Sequence, residues 1–69
     1  MIKVNGIKFN HYINEREILA ITEWNDDLGN ANLDIYFKNS QFPQYITCKS
    51  QEERKKAIEE ILKAGEKQI

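Results

Sequence analysis

Apolar and polar positions alternate through residues 2–13, and this pattern predicts a pair of short strands. Apolar side chains recur at positions 2, 4, 7, 9 and 13, on either side of an Asn5-Gly6 dipeptide. An Asn-Gly pair between alternating runs is a strong signal for a two-residue type I′ turn, because both central residues of that turn need positive φ. We therefore predict a hairpin that turns at Asn5-Gly6 and places Val4 opposite Ile7.

The stretch from residue 14 to residue 24 supports two interpretations. Asn14 and Glu17 have the spacing of a capping box, which would begin a helix. The residues that follow include Ile18, Ile21, Thr22 and Trp24, which are β-branched or aromatic and favour a strand. We prefer a tight polar turn over residues 14–17 followed by a strand over residues 18–24.

Two further alternating runs predict the centre of a sheet. Leu33, Ile35 and Phe37 share one parity of residues 33–38, and Ile46 and Cys48 share one parity of residues 45–49. The intervening segments, 25–32 and 39–43, are rich in Asn, Asp, Gly, Ser and Pro and are typical of loops. We expect the apolar parity to point into the core and the other parity, which carries tyrosine, threonine and lysine, to point outward.

The C-terminal segment predicts an amphipathic helix. Ser50 and Glu53 form a capping box, and acidic residues in the first turn suit the helix dipole. The helix is expected to run from Gln51 to about Ala64, with Gly65 as the residue that ends it. Its expected buried stripe is Ala57, Ile58, Ile61, Leu62 and Gly65.

These elements predict one α+β domain over residues 1–69. Hairpin-length connections make neighbouring strands antiparallel, so we expect a small antiparallel sheet of four to five short strands with the helix packed on one face. A single helix leaves the other face to solvent or to a partner. The layout, from the Asn5-Gly6 hairpin to the helix capped at Ser50, resembles that of small flagellar swarming-motility proteins and other very small bacterial and phage proteins, and no function carries over from it.

The composition of the chain limits the kinds of site and of protein that we expect. The net charge is -1, with one Cys and one His, so an internal disulfide and a Cys/His zinc site are both excluded, and we expect no metal or cofactor. No apolar run is long enough to span a membrane, and the N-terminus lacks a signal-peptide pattern, so we expect a cytoplasmic protein. Ile, Lys and Asn supply 10, 8 and 7 residues, a skew typical of low-G+C bacteria and their phages.

Two residues could carry catalysis, and the sequence favours a structural role for both. Cys48 lies on the inward parity of its strand, where a buried thiol is unreactive. His11 is the one base of the right kind, and nothing in the sequence places it near a substrate pocket. Nucleotide-binding, metalloprotease and hydrolase motifs are absent, so we predict that the protein is not an enzyme.

The leading hypothesis is a small interaction protein that binds and inhibits a larger macromolecule, such as a phage-encoded inhibitor of a host enzyme or defence complex. Residues 15–34 hold six carboxylates and one Arg, a local charge of -5, which would attract a basic partner. An exposed tryptophan beside these acids would be a natural anchor. The predicted contact residues are Trp24, Asp26, Asp27, Tyr36 and Tyr45.

Two alternatives stay open. The outward parity of the sheet combines tyrosines and lysines, which is the chemistry of a stacking platform for single-stranded nucleic acid. Its predicted contact residues are Lys8, Tyr12, Tyr36, Lys38, Tyr45 and Lys49. A domain this small also often gains stability by oligomerisation, so the third hypothesis is a homodimeric accessory or scaffold subunit.

Overall fold

A computed structural model describes residues 1–66 of the chain and confirms the α+β prediction. Five strands precede one C-terminal helix, and the strands form two small antiparallel sheets. The elements in chain order are β1 (Ile2–Asn5), β2 (Asn10–Ile13), a 3-10 turn (Glu15–Glu17), β3 (Ile18–Asn25), β4 (Ala31–Phe37), β5 (Gln44–Cys48) and α1 (Gln51–Glu66).

The core lies between the helix and the two sheets. One sheet pairs β1 with β2, and the other has the order β3-β4-β5. The helix packs against β1, β4, β5 and the 3-10 turn. The buried hydrophobic side chains are Val4, Ile13, Ala31, Leu33, Ile35, Ile46, Cys48, Ala57 and Ile61.

The pairing of the three-stranded sheet confirms the predicted parity. Leu33 lies opposite Ile46, and Ala31 lies opposite Cys48, so these side chains share the face that the helix covers. All four are buried. Because successive side chains of a strand point to opposite faces, the even-numbered residues of β4 belong to the face that the helix leaves open.

The first hairpin differs from its prediction. The strands pair Val4 with His11, so the loop covers residues 6–9 and is two residues longer than a type I′ turn. The Gly6 N–H donates to the Phe9 carbonyl at 2.8 Å, and the Ile7 N–H donates to the Thr47 carbonyl at 2.8 Å. The longer loop is therefore fixed to β5 by a bond between the two sheets, which the local Asn-Gly signal does not register.

Position 6 requires glycine because other backbone atoms lie close to it, and not because its φ is positive. The glycine with a positive φ is Gly29. A Cβ at position 6 would lie 2.9 Å from the Phe9 carbonyl oxygen and 3.2 Å from that of Thr47.

We expect Gly6→Ala to lower the free energy of unfolding by about 1–3 kcal/mol, as overpacking usually does. Gly65 is the matched control, because a Cβ there meets no atom within 4 Å and alanine favours a helix. Urea unfolding of both variants tests this; an unchanged midpoint for Gly6→Ala would contradict it.

The preferred interpretation of residues 14–24 is confirmed. Residues 15–17 form a single 3-10 turn, and the Asn14 side chain accepts a hydrogen bond from the Arg16 N–H at 3.2 Å. The strand that follows, β3, runs for eight residues and carries a bulge between Ile18 and Ala20. The capping signal at Asn14 is thus satisfied within one turn, after which the β-branched residues continue as a strand.

The helix begins as predicted and ends later. The Ser50 hydroxyl accepts from the Glu53 N–H at 3.1 Å, as the capping box requires. The helix continues to Glu66, so the prediction that Gly65 ends it was wrong. Leu62 belongs to the stripe that was predicted to be buried, but its side chain is 59% exposed. Arg54, which is not part of the predicted stripe, is buried.

Candidate functional site

The open face of the three-stranded sheet brings three of the predicted contact residues together. Trp24 pairs with Asn32, and Tyr45 pairs with Asp34, so both aromatic residues lie on the face opposite the helix. Tyr36 lies two residues beyond Asp34 on β4 and therefore shares this face. We call these three aromatic side chains, with Asp34 between them, the aromatic face.

Trp24 is held in a defined orientation on the aromatic face. Its indole N–H donates to the Asp34 carboxylate at 3.2 Å, across the β3–β4 pair. The side chain nevertheless remains 47% exposed. Tyr45 is 67% exposed and Tyr36 is 38% exposed. The face thus offers a large aromatic surface in which one ring is already fixed.

A polar network lies beside these aromatic side chains on the same face of the sheet. Asn32 is buried, and its side-chain oxygen accepts from the Thr47 hydroxyl at 2.9 Å. Its side-chain N–H donates to Asp26 at 3.2 Å. A buried polar group such as the Asn32 side chain is costly to leave without hydrogen-bond partners, and here both ends of its amide are bonded. The network therefore joins β4 to β5 and to the loop at residues 26–30.

Asp26 builds the loop at residues 26–30. Its carboxylate accepts from the Asn30 N–H at 2.9 Å and from the Leu28 N–H at 3.0 Å. The bond from the Asn30 N–H, followed by that from the Asn32 side chain, holds the pKa of the Asp26 carboxyl below its ordinary value. Asp26 therefore stays ionised at neutral pH with its oxygens occupied by the loop, whereas Asp27 beside it is exposed.

A groove of about 380 Å³ lies beside the aromatic face, between the 6–9 loop and β5. Phe9 and Tyr45 are both exposed and both line it. The His11 ring stands edge-on to Phe9, with 6.5 Å between the ring centroids, and its Nδ1 lies 2.7 Å from the Gln44 side-chain nitrogen. The groove is lined by Gly6, Ile7, Lys8, Phe9, His11, Asn30, Tyr45 and Thr47.

The residues predicted for nucleic-acid binding are divided among both sheets, the groove and the ends of two strands. Tyr36 and Tyr45 lie on the aromatic face, and Lys8 lines the groove beside it. Tyr12 pairs with Lys3 in the separate β1–β2 sheet. The other two lysines of the set, at positions 38 and 49, each lie one residue beyond the end of a strand.

The surroundings of the two candidate catalytic residues, Cys48 and His11, fit a structural role for each. Cys48 is buried in the core, and burial raises the pKa of its thiol. His11 is half-buried beside the groove, where Gln44 contacts its ring. Within residues 1–66, no group of three or more His, Cys, Asp and Glu side chains is arranged to hold a metal ion.

Arg54 is the residue with the largest structural role that sequence reasoning missed. Its guanidinium donates to the Trp24 carbonyl at 3.0 Å and to the Asn25 side-chain oxygen at 2.8 Å. The same group lies 3.6 Å from the Glu23 carboxylate. Arg54 thereby ties the first turn of the helix to the strand that carries Trp24. Nothing in the sequence of this lysine-rich helix distinguishes the buried Arg54 from the exposed cations. Its burial follows from the β3 residues that face it.

No helix in the described part of the chain is long and apolar enough to cross a membrane. Comparisons of the chain with protein-family models, with curated proteins and with solved structures found no match.

Proposed function

We propose that this protein is a non-enzymatic binding module that docks a protein partner through its aromatic face. The observation that carries the proposal is that Trp24, Tyr36 and Tyr45 share the sheet face opposite the helix, with Trp24 fixed by Asp34 at 3.2 Å. Tryptophan and tyrosine are the residues that most often dominate the binding energy of protein interfaces.

The fixed orientation of Trp24 favours tight binding. An interface loses free energy when it immobilises side chains that were free before association. Trp24 is already oriented by the Asp34 carboxylate, and its strand is anchored to the helix by Arg54. A partner that receives the indole ring therefore orders little on this side of the interface.

The charge distribution favours a protein partner with a basic surface over a nucleic acid. Asp34 lies within the aromatic face, and residues 15–34 carry six carboxylates against one Arg, of which Glu15 is paired with the N-terminus and Glu23 with Arg54. Phosphate groups would be repelled there, because nucleic-acid binding relies on a basic surface. A basic protein patch would instead be attracted, which raises the rate of association.

The mechanism we propose is occlusion of a larger macromolecule, such as a host enzyme or defence complex blocked by a phage or mobile-element protein. The small sheet would cover a functional surface of that target without chemistry of its own. Burial of the Cys48 thiol and its raised pKa support a non-enzymatic role, because a reactive thiol needs an accessible thiolate.

One observation favours the nucleic-acid alternative. Lys8 lines the groove between two exposed aromatic side chains, Phe9 and Tyr45. Aromatic rings that accept stacked bases beside a cation are the usual elements of a single-strand site. The alternative rests on this groove rather than on the whole sheet face.

A matched pair of tyrosine variants separates the two functions. Tyr45 is 67% exposed on the aromatic face, and Tyr12 is 68% exposed on the other sheet. Tagged wild-type protein and both variants are used to capture partners from bacterial lysate, with and without nuclease. We expect a protein band that resists nuclease, that Tyr45→Ala loses, and that Tyr12→Ala retains.

Two outcomes would contradict the proposal. Bands that disappear with nuclease would favour the nucleic-acid alternative, whose groove Tyr45 also lines and Tyr12 does not. A nuclease-resistant band that Tyr45→Ala leaves unchanged would place the binding surface elsewhere. Circular dichroism of each variant checks whether the fold is retained.

A further inference from the structure

Among the described residues, nothing pairs with the outer edge of β3 from residue 19 to residue 25. This strand bonds to β4 on one side, and the order β3-β4-β5 leaves its other side at the edge of the sheet. Within residues 1–66, no backbone hydrogen bond joins residues 19–25 to any element other than β4. The helix packs mainly against β1, β4 and β5, and Arg54 joins it to Trp24 and Asn25 of β3.

The pairing with β4 identifies which backbone groups point outward. The Asp26 N–H donates to the Asn30 carbonyl at 3.3 Å, which makes these two residues a hydrogen-bonded pair. Hydrogen-bonded and non-hydrogen-bonded pairs alternate along an antiparallel ladder. Trp24 and Thr22 therefore bond to β4, whereas the N–H and C=O groups of Ile21 and Glu23 point to the free edge.

Beyond the bulge between Ile18 and Ala20, this edge has little of the usual protection against strand pairing. Natural edge strands are commonly protected by lysine, proline, inward charges or short length. Residues 19–25 contain neither lysine nor proline, and Glu23 is their single charged residue. The Arg54 guanidinium lies 3.6 Å from the Glu23 carboxylate, so even this charge has a counter-ion within its own chain.

We infer that β3 of a second copy of this chain pairs with β3, antiparallel, about a two-fold axis at Thr22. The register places Ile21 opposite Glu23 of the second copy, so the outward groups of both residues bond across the axis. A shift that places the two Glu23 residues opposite each other would oppose like charges. A shift toward residue 19 would use the bulged part of the strand, where the ladder is irregular.

The resulting dimer would have one continuous six-stranded sheet. An axis perpendicular to the sheet puts both helices on one side and both aromatic faces on the other. Trp24 would lie opposite Ala20 of the second copy, so that a large side chain meets a small one. The inference does not rest on the proposed function, because the edge and the aromatic face are different surfaces.

Cysteine cross-linking tests the register. At a two-fold axis Thr22 would face its own copy as a non-hydrogen-bonded pair, whose Cα atoms are about 4.5 Å apart and can be bridged by a disulfide. We expect oxidised Thr22→Cys to form a covalent dimer readily. The control is Ala20→Cys, whose counterpart in the second copy lies four residues away along the strand. The native Cys48 is buried and does not compete.

Light scattering on uncross-linked protein tests the edge itself. We expect wild-type protein to approach twice the 8.1 kDa chain mass with rising concentration. Glu23→Pro removes an outward N–H without removing a bond to β4, and it should halve the mass, whereas Glu23→Gln should not. A wild-type monomer at every concentration, equal cross-linking at positions 20 and 22, or a dimer that survives Glu23→Pro would each overturn the inference.

Discussion

Replacing Arg54 with leucine is expected to lower the free energy of unfolding by about 1.5–3 kcal/mol, the range for a hydrogen bond that involves a charged group. The guanidinium is buried and donates at 3.0 Å to the Trp24 carbonyl and at 2.8 Å to the Asn25 side chain. Leucine can fill part of the volume and make neither bond. The helix would then lose its attachment to the end of β3.

Arg54→Lys should recover part of this loss. Lysine keeps the charge that faces Glu23, but its compact ammonium group cannot reproduce the planar array of guanidinium donors. We therefore expect its stability to lie between those of wild type and Arg54→Leu.

The neighbouring residue provides the control for this series. Lys55 is exposed on the same helix, and Lys55→Leu should change stability by about 0.5 kcal/mol at most. Urea unfolding at fixed pH measures all three variants. If Arg54→Leu unfolds at the same midpoint as Lys55→Leu, Arg54 does not have the anchoring role assigned to it.

Removing the Trp24 side chain should weaken partner binding by about 2–4 kcal/mol, or roughly 30-fold to 1,000-fold in Kd, as at other central aromatic anchors. The reason is that Trp24 combines a half-exposed ring with an orientation fixed by Asp34. Trp24→Phe should lose less, because it keeps a ring but not the N–H that Asp34 accepts.

The measurement is a titration of the captured partner with wild type, Trp24→Ala, Trp24→Phe and a control. Phe42→Ala is a suitable control, since Phe42 is exposed in the loop between β4 and β5 and lies outside the aromatic face. Thermal unfolding of each variant separates lost binding from lost fold. Equal affinities for Trp24→Ala and Phe42→Ala would show that Trp24 is no anchor.

Strand parity and helix capping could be predicted from sequence because both are local. Alternation places Leu33 and Ile35 inward and Tyr36 outward whatever the strand pairs with. The bond from the Glu53 N–H to the Ser50 hydroxyl depends on residues three apart. The membership of Tyr36 and Tyr45 in one face follows from the same local periodicity.

The features that sequence did not predict depend on contacts between distant segments. The 6–9 loop replaces an Asn-Gly turn because the Ile7 N–H bonds to the Thr47 carbonyl, forty residues away. Arg54 is buried because backbone and side-chain oxygens of β3 face it. Neither contact can be predicted from the residue pattern of the segment that contains it.

The same distinction applies to the candidate site. Asp26 and Asp27 are equivalent as sequence, yet Asp26 accepts four hydrogen bonds within its loop and Asp27 is left exposed. Trp24 and Asp34 are ten residues apart, and only the β3–β4 pairing brings the indole to the carboxylate. The composition of the site was therefore predictable, and its geometry was not.

Photo-cross-linking is the most direct test of whether the aromatic face docks a protein partner. A photoreactive phenylalanine analogue is introduced at Tyr36, on the aromatic face, and in a second preparation at Tyr12, on the other sheet. Irradiation in cells is expected to give a covalent adduct with a protein from position 36 and none from position 12. An adduct from position 12 alone, or adducts from both positions that nuclease digests, would contradict a protein-binding aromatic face.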